Sequence, residues 1–364
     1  MKIRLYTFFF VVSISGFLFG QDKNFYPANH EYFDYMGRVD LSDSGYVRYD
    51  WPGVRVRFRF TGRELNLHFS GGERNYFDLV VDGKHLGVFH APKDTVLEIN
   101  GLKGQGPHRV EFIKRTEGEM GEVRFSGVKL SSKGQLLPWL EVSERRIEFI
   151  GNSITCGYGA EAKSRDEDFD PRTENVLKSY ASIVANAFGA DYHVVAHSGL
   201  GVVRNYGDPQ KVSVNLATMP QRYSRTLDMD DIKKWDFSSW KPDAVIINLG
   251  TNDFSTEPHP DKVIFQRTYE KLLLQIREVY GPTVSLFCLV GPMVNEPCFT
   301  YVKEVVENYK VLYNDPKVCF IGIPTELLND HEDLGADWHP SYKGHQKIAN
   351  FIIPIMSNFL QWQY

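Results

Sequence analysis

The sequence predicts a chain in two parts: an all-β, jelly-roll-like sandwich, then a three-layer α/β domain built on a parallel sheet. Three observations predict it. Residues 22–140 alternate apolar and polar positions with period two between turn residues, with no convincing helix. From Ile147 onward, short apolar runs alternate with stretches of helical period. Finally, the mature chain of about 340 residues is longer than a single core usually organises.

Residues 1–20 carry Lys2 and Arg4 ahead of the apolar run from Leu5 to Phe19. A basic start and an apolar core too short to span a bilayer comfortably read as a signal peptide, and imply export to the periplasm or beyond. No other stretch is apolar enough to span a membrane. The net charge of -5 comes from acidic and basic residues interspersed along the chain. That leaves no basic footprint for nucleic acid. Cys156, Cys288, Cys298 and Cys319 fall outside any metal-ligand spacing, and an exported compartment permits one or two disulfides without demonstrating them.

Residues 21–140 form the expected sandwich. Val54–Phe60 alternates apolar and basic residues, Glu64–Phe69 alternates again, and Tyr76–Val81 runs into an Asp82-Gly83 turn. Val110–Ile113 and Val123–Phe125 repeat the pattern before Gly127–Leu130. A short connection at Pro138–Ser143 leads to the second domain, residues 144–364. Its expected strands are Ile147–Ile150, Tyr192–Val195, Ala244–Leu249, Val284–Val290 and Val318–Ile321. Helical period marks Leu177–Ala185 and Phe265–Ile276, and Lys347–Ile353 reads as an amphipathic helix covering one face. Strands alternating with helices imply a parallel, doubly wound sheet.

Four motifs fall at strand ends of this second domain. Gly151-Asn152-Ser153 follows the first strand, where Ser153 either caps the next helix or offers its hydroxyl to a substrate. His197-Ser198-Gly199-Leu200-Gly201 follows the second, Gly250-Thr251-Asn252-Asp253 the third, and Asp337-Trp338-His339-Pro340 lies near the end. Acyl transfer needs a nucleophile, a base in reach of it, a group that orients the base and donors for the developing oxyanion. Ser153, His339 and Asp337 can fill the first three roles, with Gly201 and Asn252 as donors.

These motifs, in this order, resemble the GDSL-type or SGNH hydrolases over roughly the last 220 residues. The preceding sandwich, with Cys156-Gly157-Tyr158-Gly159 and the Asp-Trp-His-Pro context, looks more narrowly like the family-two carbohydrate esterases. The resemblance implies a serine esterase that removes acetyl groups from plant polysaccharides such as xylan, mannan or glucomannan, with no cofactor and no metal. It implies an oxyanion hole of the Ser153 and Gly201 backbone N–H groups and the Asn252 side chain. It also implies that a backbone carbonyl stands in for Asp337 in some members. The expected partner is an acetylated polysaccharide or oligosaccharide, with Trp338 as a wall for sugar stacking and Tyr206 and Asn205 lining the mouth. His197 reads as a supporting or packed histidine, and Glu161–Asp170 as a solvated acidic face. One position departs from the family: Asn152 stands where Asp is usual, which is expected to alter local hydrogen bonding rather than abolish catalysis. A lipid esterase, lysophospholipase or thioesterase on the same scaffold is the competing enzyme reading. A non-catalytic carbohydrate-binding protein is the competing reading from another class.

Overall fold

The computed structural model describes residues 24–329 and 331–364, so the leader expected over residues 1–20 lies outside the described residues. The period-two segments form β1 (Phe25–Pro27), β2 (Asp34–Met36), β3 (Val47–Tyr49), β4 (Arg55–Phe60), β5 (Leu65–Ser70), β6 (Tyr76–Val81), β7 (Lys84–His90), β8 (Asp94–Ile99), β9 (His108–Lys114), β10 (Val123–Leu130) and β11 (Leu136–Leu137). All their pairings are antiparallel. One sheet runs β1-β10-β5-β8 with β3 also on β10; the other runs β11-β4-β9-β6-β7 with β2 on β4. Aromatic rings fill the space between them: Phe69 of the first sheet meets Phe77 and Phe112 of the second at centroid distances of 5.1 and 4.6 Å.

The α/β part follows as β12 (Arg146–Gly151), α1 (Ser153–Cys156), α2 (Tyr180–Ala187), β13 (Asp191–Ala196), α3 (Met219–Arg222), β14 (Arg225–Leu227), β15 (Asp230–Lys234), β16 (Ala244–Asn248), α4 (Thr251–Phe254), α5 (Lys262–Tyr280), β17 (Ser285–Val290), α6 (Cys298–Leu312), β18 (Val318–Gly322) and α7 (Tyr342–Leu360). Five strands form a parallel sheet in the order β13-β12-β16-β17-β18. Helices α2 and α7 cover one face through Tyr180, Val184, Ile348 and Ile352, packed with Phe149 and Ile246. Helices α5 and α6 cover the other through Phe265, Leu272 and Val302, packed with Ile247 and Leu286. Both faces are therefore sealed, as continuous apolar runs in parallel strands require. Among the described residues, no helix is long and apolar enough to cross a membrane.

The chain leaves β12 to one side for β13 and returns to the other side for β16. In such sheets the carboxyl ends of the strands at a reversal of this kind are the usual ligand position. Ser153 and Asn252 sit just past the two strands that flank it.

The alternation in β4 puts Phe58 and Phe60 into the sandwich core and Arg55 and Arg57 on the opposite face. That face meets β13 rather than water. Arg57 forks onto both oxygens of Asp191 at 2.7 and 3.1 Å, and Arg55 donates to the Tyr192 hydroxyl at 2.5 Å. A deeper contact joins Arg38, beyond β2, to Glu148 in the middle of β12 at 2.9 Å, both side chains fully buried. The Tyr223 and Tyr280 hydroxyls donate to the Glu148 carboxylate at 2.7 and 3.2 Å. Arg38 Nη1 donates in turn to the Tyr223 and Arg225 carbonyls. The hairpin β14–β15, for which the sequence pattern suggests no element, closes this junction: the Trp51 indole N–H donates to the Thr226 carbonyl at 3.0 Å.

Candidate active site

Gly151 ends β12 where any side chain is forbidden, since a Cβ there would sit 2.0 Å from Thr155 Oγ1. Asn152 then caps α1, its Oδ1 accepting the Ile154 N–H at 3.1 Å. The residue that departs from the family's usual Asp thus performs an ordinary N-cap role. Ser153 is the first residue of α1, so its N–H has no intrahelical acceptor. Asn152, not Ser153, is the cap, and the Ser153 hydroxyl faces His339 Nε2 at 2.8 Å.

His339 is half-buried. Its Nδ1 faces the main-chain carbonyl oxygen of Asp337 at 3.1 Å. The expectation that the Asp337 carboxylate orients the imidazole is therefore corrected. Asp337 Oδ2 accepts instead from the Tyr158 hydroxyl at 2.7 Å and the Phe169 N–H at 3.1 Å. The reason lies in the backbone: Asp337 and Trp338 both take left-handed φ, +50° and +62°. That turn brings the Asp337 carbonyl under the histidine and directs its carboxylate elsewhere. Burial pulls the His339 imidazole below the ordinary histidine range, and the Asp337 carbonyl opposes part of that shift.

The Tyr158 ring lies 4.1 Å from the His339 ring and stacks at 4.2 Å on Phe169. Neither aromatic residue stands out in the sequence as a site residue, although Tyr158 lies in a motif that carries the family resemblance. The acidic loop also does more than the sequence suggests. Its Glu167 and Arg165 carbonyls accept the Asp337 and Trp338 N–H groups at 3.0 and 3.3 Å. Glu161 pairs with Arg115 of β9's continuation and with Lys178. Only part of the loop is a solvated face, and the rest cradles the histidine's turn.

On the other side of Ser153, Asn252 Nδ2 donates to the Leu200 carbonyl at 2.8 Å; its second hydrogen has no acceptor among the described residues. Asp253 is fully buried and accepts the Val202, Val203 and Arg204 N–H groups at 2.8, 2.7 and 2.9 Å. This carboxylate, which the sequence offers only as the last member of the Gly250-Thr251-Asn252-Asp253 motif, holds the loop that carries Gly201. Gly201 has no room for a side chain, because a Cβ would lie 2.0 Å from the Arg204 carbonyl oxygen and 2.6 Å from Asp253 Oδ2. Its N–H, expected to face the oxyanion, donates to Asn205 Oδ1 at 3.1 Å. Asn205 is correspondingly buried, with Nδ2 on the Leu216 carbonyl, so it holds the loop and does not line the mouth.

Tyr206 and Trp338 are exposed, at 63% and 52%. The Arg165 guanidinium covers the Trp338 ring at 3.9 Å from its centroid. His197 is buried and held by Asp228 at 2.5 Å. Burial alone would lower its basicity, but Asp228 raises it above the ordinary histidine range. All four cysteines are free thiols. Among the described residues, ligating atoms gather at Glu117, Cys156 and Glu174, within 4.8 Å of one another; they come from segments far apart in sequence, which spacing does not reveal.

Residues 35–139 match the family described as Carbohydrate esterase 2 N-terminal. Residues 149–347 match the GDSL-like Lipase/Acylhydrolase family. Over 334 residues the chain is 39% identical to cellulase/esterase CelE of Acetivibrio thermocellus, covering 90% of this chain and 39% of that protein's length. It is 32% identical over 321 residues to an acetylxylan esterase / glucomannan deacetylase of Cellvibrio japonicus, covering 84% of each. Among solved structures, a family two carbohydrate esterase from Clostridium thermocellum in complex with cellohexaose superposes with a TM-score of 0.83 at 37% identity, over 91% of this chain and 99% of that one.

Proposed function

Because the chain belongs to the GDSL-like lipase/acylhydrolase family and within it to the family two carbohydrate esterases, serine ester hydrolases, we propose that it removes O-acetyl groups from plant polysaccharides of the xylan or glucomannan kind. The observation that carries this reading is the 2.8 Å contact between Ser153 Oγ and His339 Nε2, with Nδ1 anchored on the Asp337 carbonyl.

In this reading His339 takes the Ser153 proton as Oγ attacks the acetyl carbonyl carbon. The carbonyl oxygen becomes the oxyanion and meets the Ser153 N–H and Asn252 Nδ2, with the Gly201 N–H shared with Asn205. Collapse breaks the bond to the sugar oxygen, which takes the proton from His339 and leaves as the sugar hydroxyl. Water attacks the acetyl-serine by the same route in reverse and releases acetate. The Asp337 carbonyl fixes the tautomer that leaves Nε2 unprotonated and able to accept. The open faces of Trp338 and Tyr206 offer apolar surface for sugar rings. The leader expected over residues 1–20 and the polymeric substrate both favour export.

The test is acetate release from acetylated xylan and glucomannan by the wild-type chain and by Ser153→Ala. The variant is expected to lose several orders of magnitude in rate while folding normally. Nitrophenyl acetate should be turned over much faster than nitrophenyl octanoate, since a lipid esterase would show the reverse preference.

A further inference from the structure

Glu117 follows β9 of the sandwich, yet its side chain is buried against the α/β part, 1% exposed. Its Oε2 accepts the Ser198 N–H at 2.5 Å and faces Cys156 Sγ at 3.7 Å. Cys156 is the last residue of α1, the helix that Ser153 begins, and Ser198 lies in the loop between β13 and Gly201. We propose that Glu117 is a positioning residue which, from the sandwich, ties the nucleophile's helix to the oxyanion loop, so that the sandwich completes the active site. The proposal rests on the serine-esterase reading of Ser153 given above.

The clamp is itself anchored. The Glu117 main-chain N–H donates to Glu174 Oε2 at 3.3 Å, and its carbonyl accepts from Lys114 Nζ at 2.8 Å. A second sandwich carboxylate supports the same loop from behind. Asp50 accepts the Asp228 and Met229 N–H groups at 2.7 and 3.0 Å, and Asp228 holds His197, the neighbour of Ser198. Gly118 permits this approach, because a Cβ there would lie 2.3 Å from Asp228 Oδ2. A metal at Glu117, Cys156 and Glu174 is the less favoured use of the cluster. The Glu117 oxygen already serves an N–H and an S–H donor, and the fully buried Lys114 supplies positive charge in the same pocket.

The test uses the full chain and the rate at which diethyl 4-nitrophenyl phosphate phosphorylates Ser153, a measure of nucleophile, base and oxyanion donors that is indifferent to the natural ester. Glu117→Gln keeps an acceptor oxygen; Glu117→Met keeps the volume without one. The Gln variant is expected within about fivefold of wild type, and the Met variant about a hundredfold slower, the scale that small misplacements of reacting groups produce. On nitrophenyl acetate the loss should fall on kcat, with KM within about twofold. If the Met variant does not fold, Glu117→Asp, which draws the carboxylate back, is expected about tenfold or more below wild type. Equal rates for the Met and Gln variants, or a wild-type rate for Glu117→Asp, would overturn the proposal. So would stoichiometric metal in the purified protein that Glu117→Gln loses. A wild-type chain inert to the reagent would instead overturn the serine-esterase reading itself.

Discussion

His339 Nδ1 rests 3.1 Å from the carbonyl oxygen of Asp337, while the carboxylate of that same aspartate binds Tyr158 and Phe169. The imidazole is thus oriented by main chain, and the acid side chain serves the loop. Asp337→Asn keeps an acceptor for Tyr158 and Phe169, and asparagine tolerates the left-handed φ of this position. It is expected to retain kcat within about tenfold of wild type, whereas His339→Ala should lose about a thousandfold or more. Steady-state kinetics on nitrophenyl acetate decide; a hundredfold loss in Asp337→Asn would restore the carboxylate to the mechanism.

The pH profile follows from the burial of His339, which lowers its affinity for protons. The base works only when neutral, so a lowered pKa extends the active form toward acid. The acid limb of kcat/KM should lie below the ordinary histidine value of about 6.5, with a plateau through neutrality. An acid limb above that value would contradict the environment seen here.

Arg38 and Glu148 test the junction between the two parts. Arg38→Leu leaves a carboxylate buried between two tyrosine hydroxyls with its cation gone. Removing one partner of a buried pair typically costs about 3–5 kcal/mol, and urea unfolding should show a loss of that order. Since the pair bridges sandwich and sheet, a single cooperative transition is expected in the wild type, and two separable transitions would count against it.

Asp253 offers two oxygens to three N–H groups of the loop that carries Gly201. In Asp253→Asn one acceptor becomes a donor facing those N–H groups, and leaving such a group unpaired costs about 1–3 kcal/mol. Reduced thermal stability together with a kcat loss of about tenfold or more is expected, measured by calorimetry and ester hydrolysis on the same preparations.

The sequence by itself determined what local periodicity and short motifs encode. Strands β4, β5, β6, β9 and β10, the five parallel strands, helices α2, α5 and α7, and the positions of Ser153, Gly201 and Asn252 past strand ends were legible because side-chain alternation and turn residues act within a few positions of one another; helix α6, the shorter sandwich strands and the turn before α7 that holds His339 were not. Tertiary structure alone decided which atoms meet. Whether Asp337 presents its carbonyl or its carboxylate to His339 depends on two left-handed φ angles that no motif encodes. Asn205 looked like a mouth residue and became a loop anchor because Gly201 turns its N–H toward it. The basic face of β4 reads as solvent-facing in any strand of its kind, and only the arrival of β13 made it an interface. Glu117 and Cys156 are 39 residues apart, and Arg38 and Glu148 are 110 apart. Such pairs form because burying a charge demands a partner wherever the chain can bring one, and the chain's path through space, not its local pattern, supplies it.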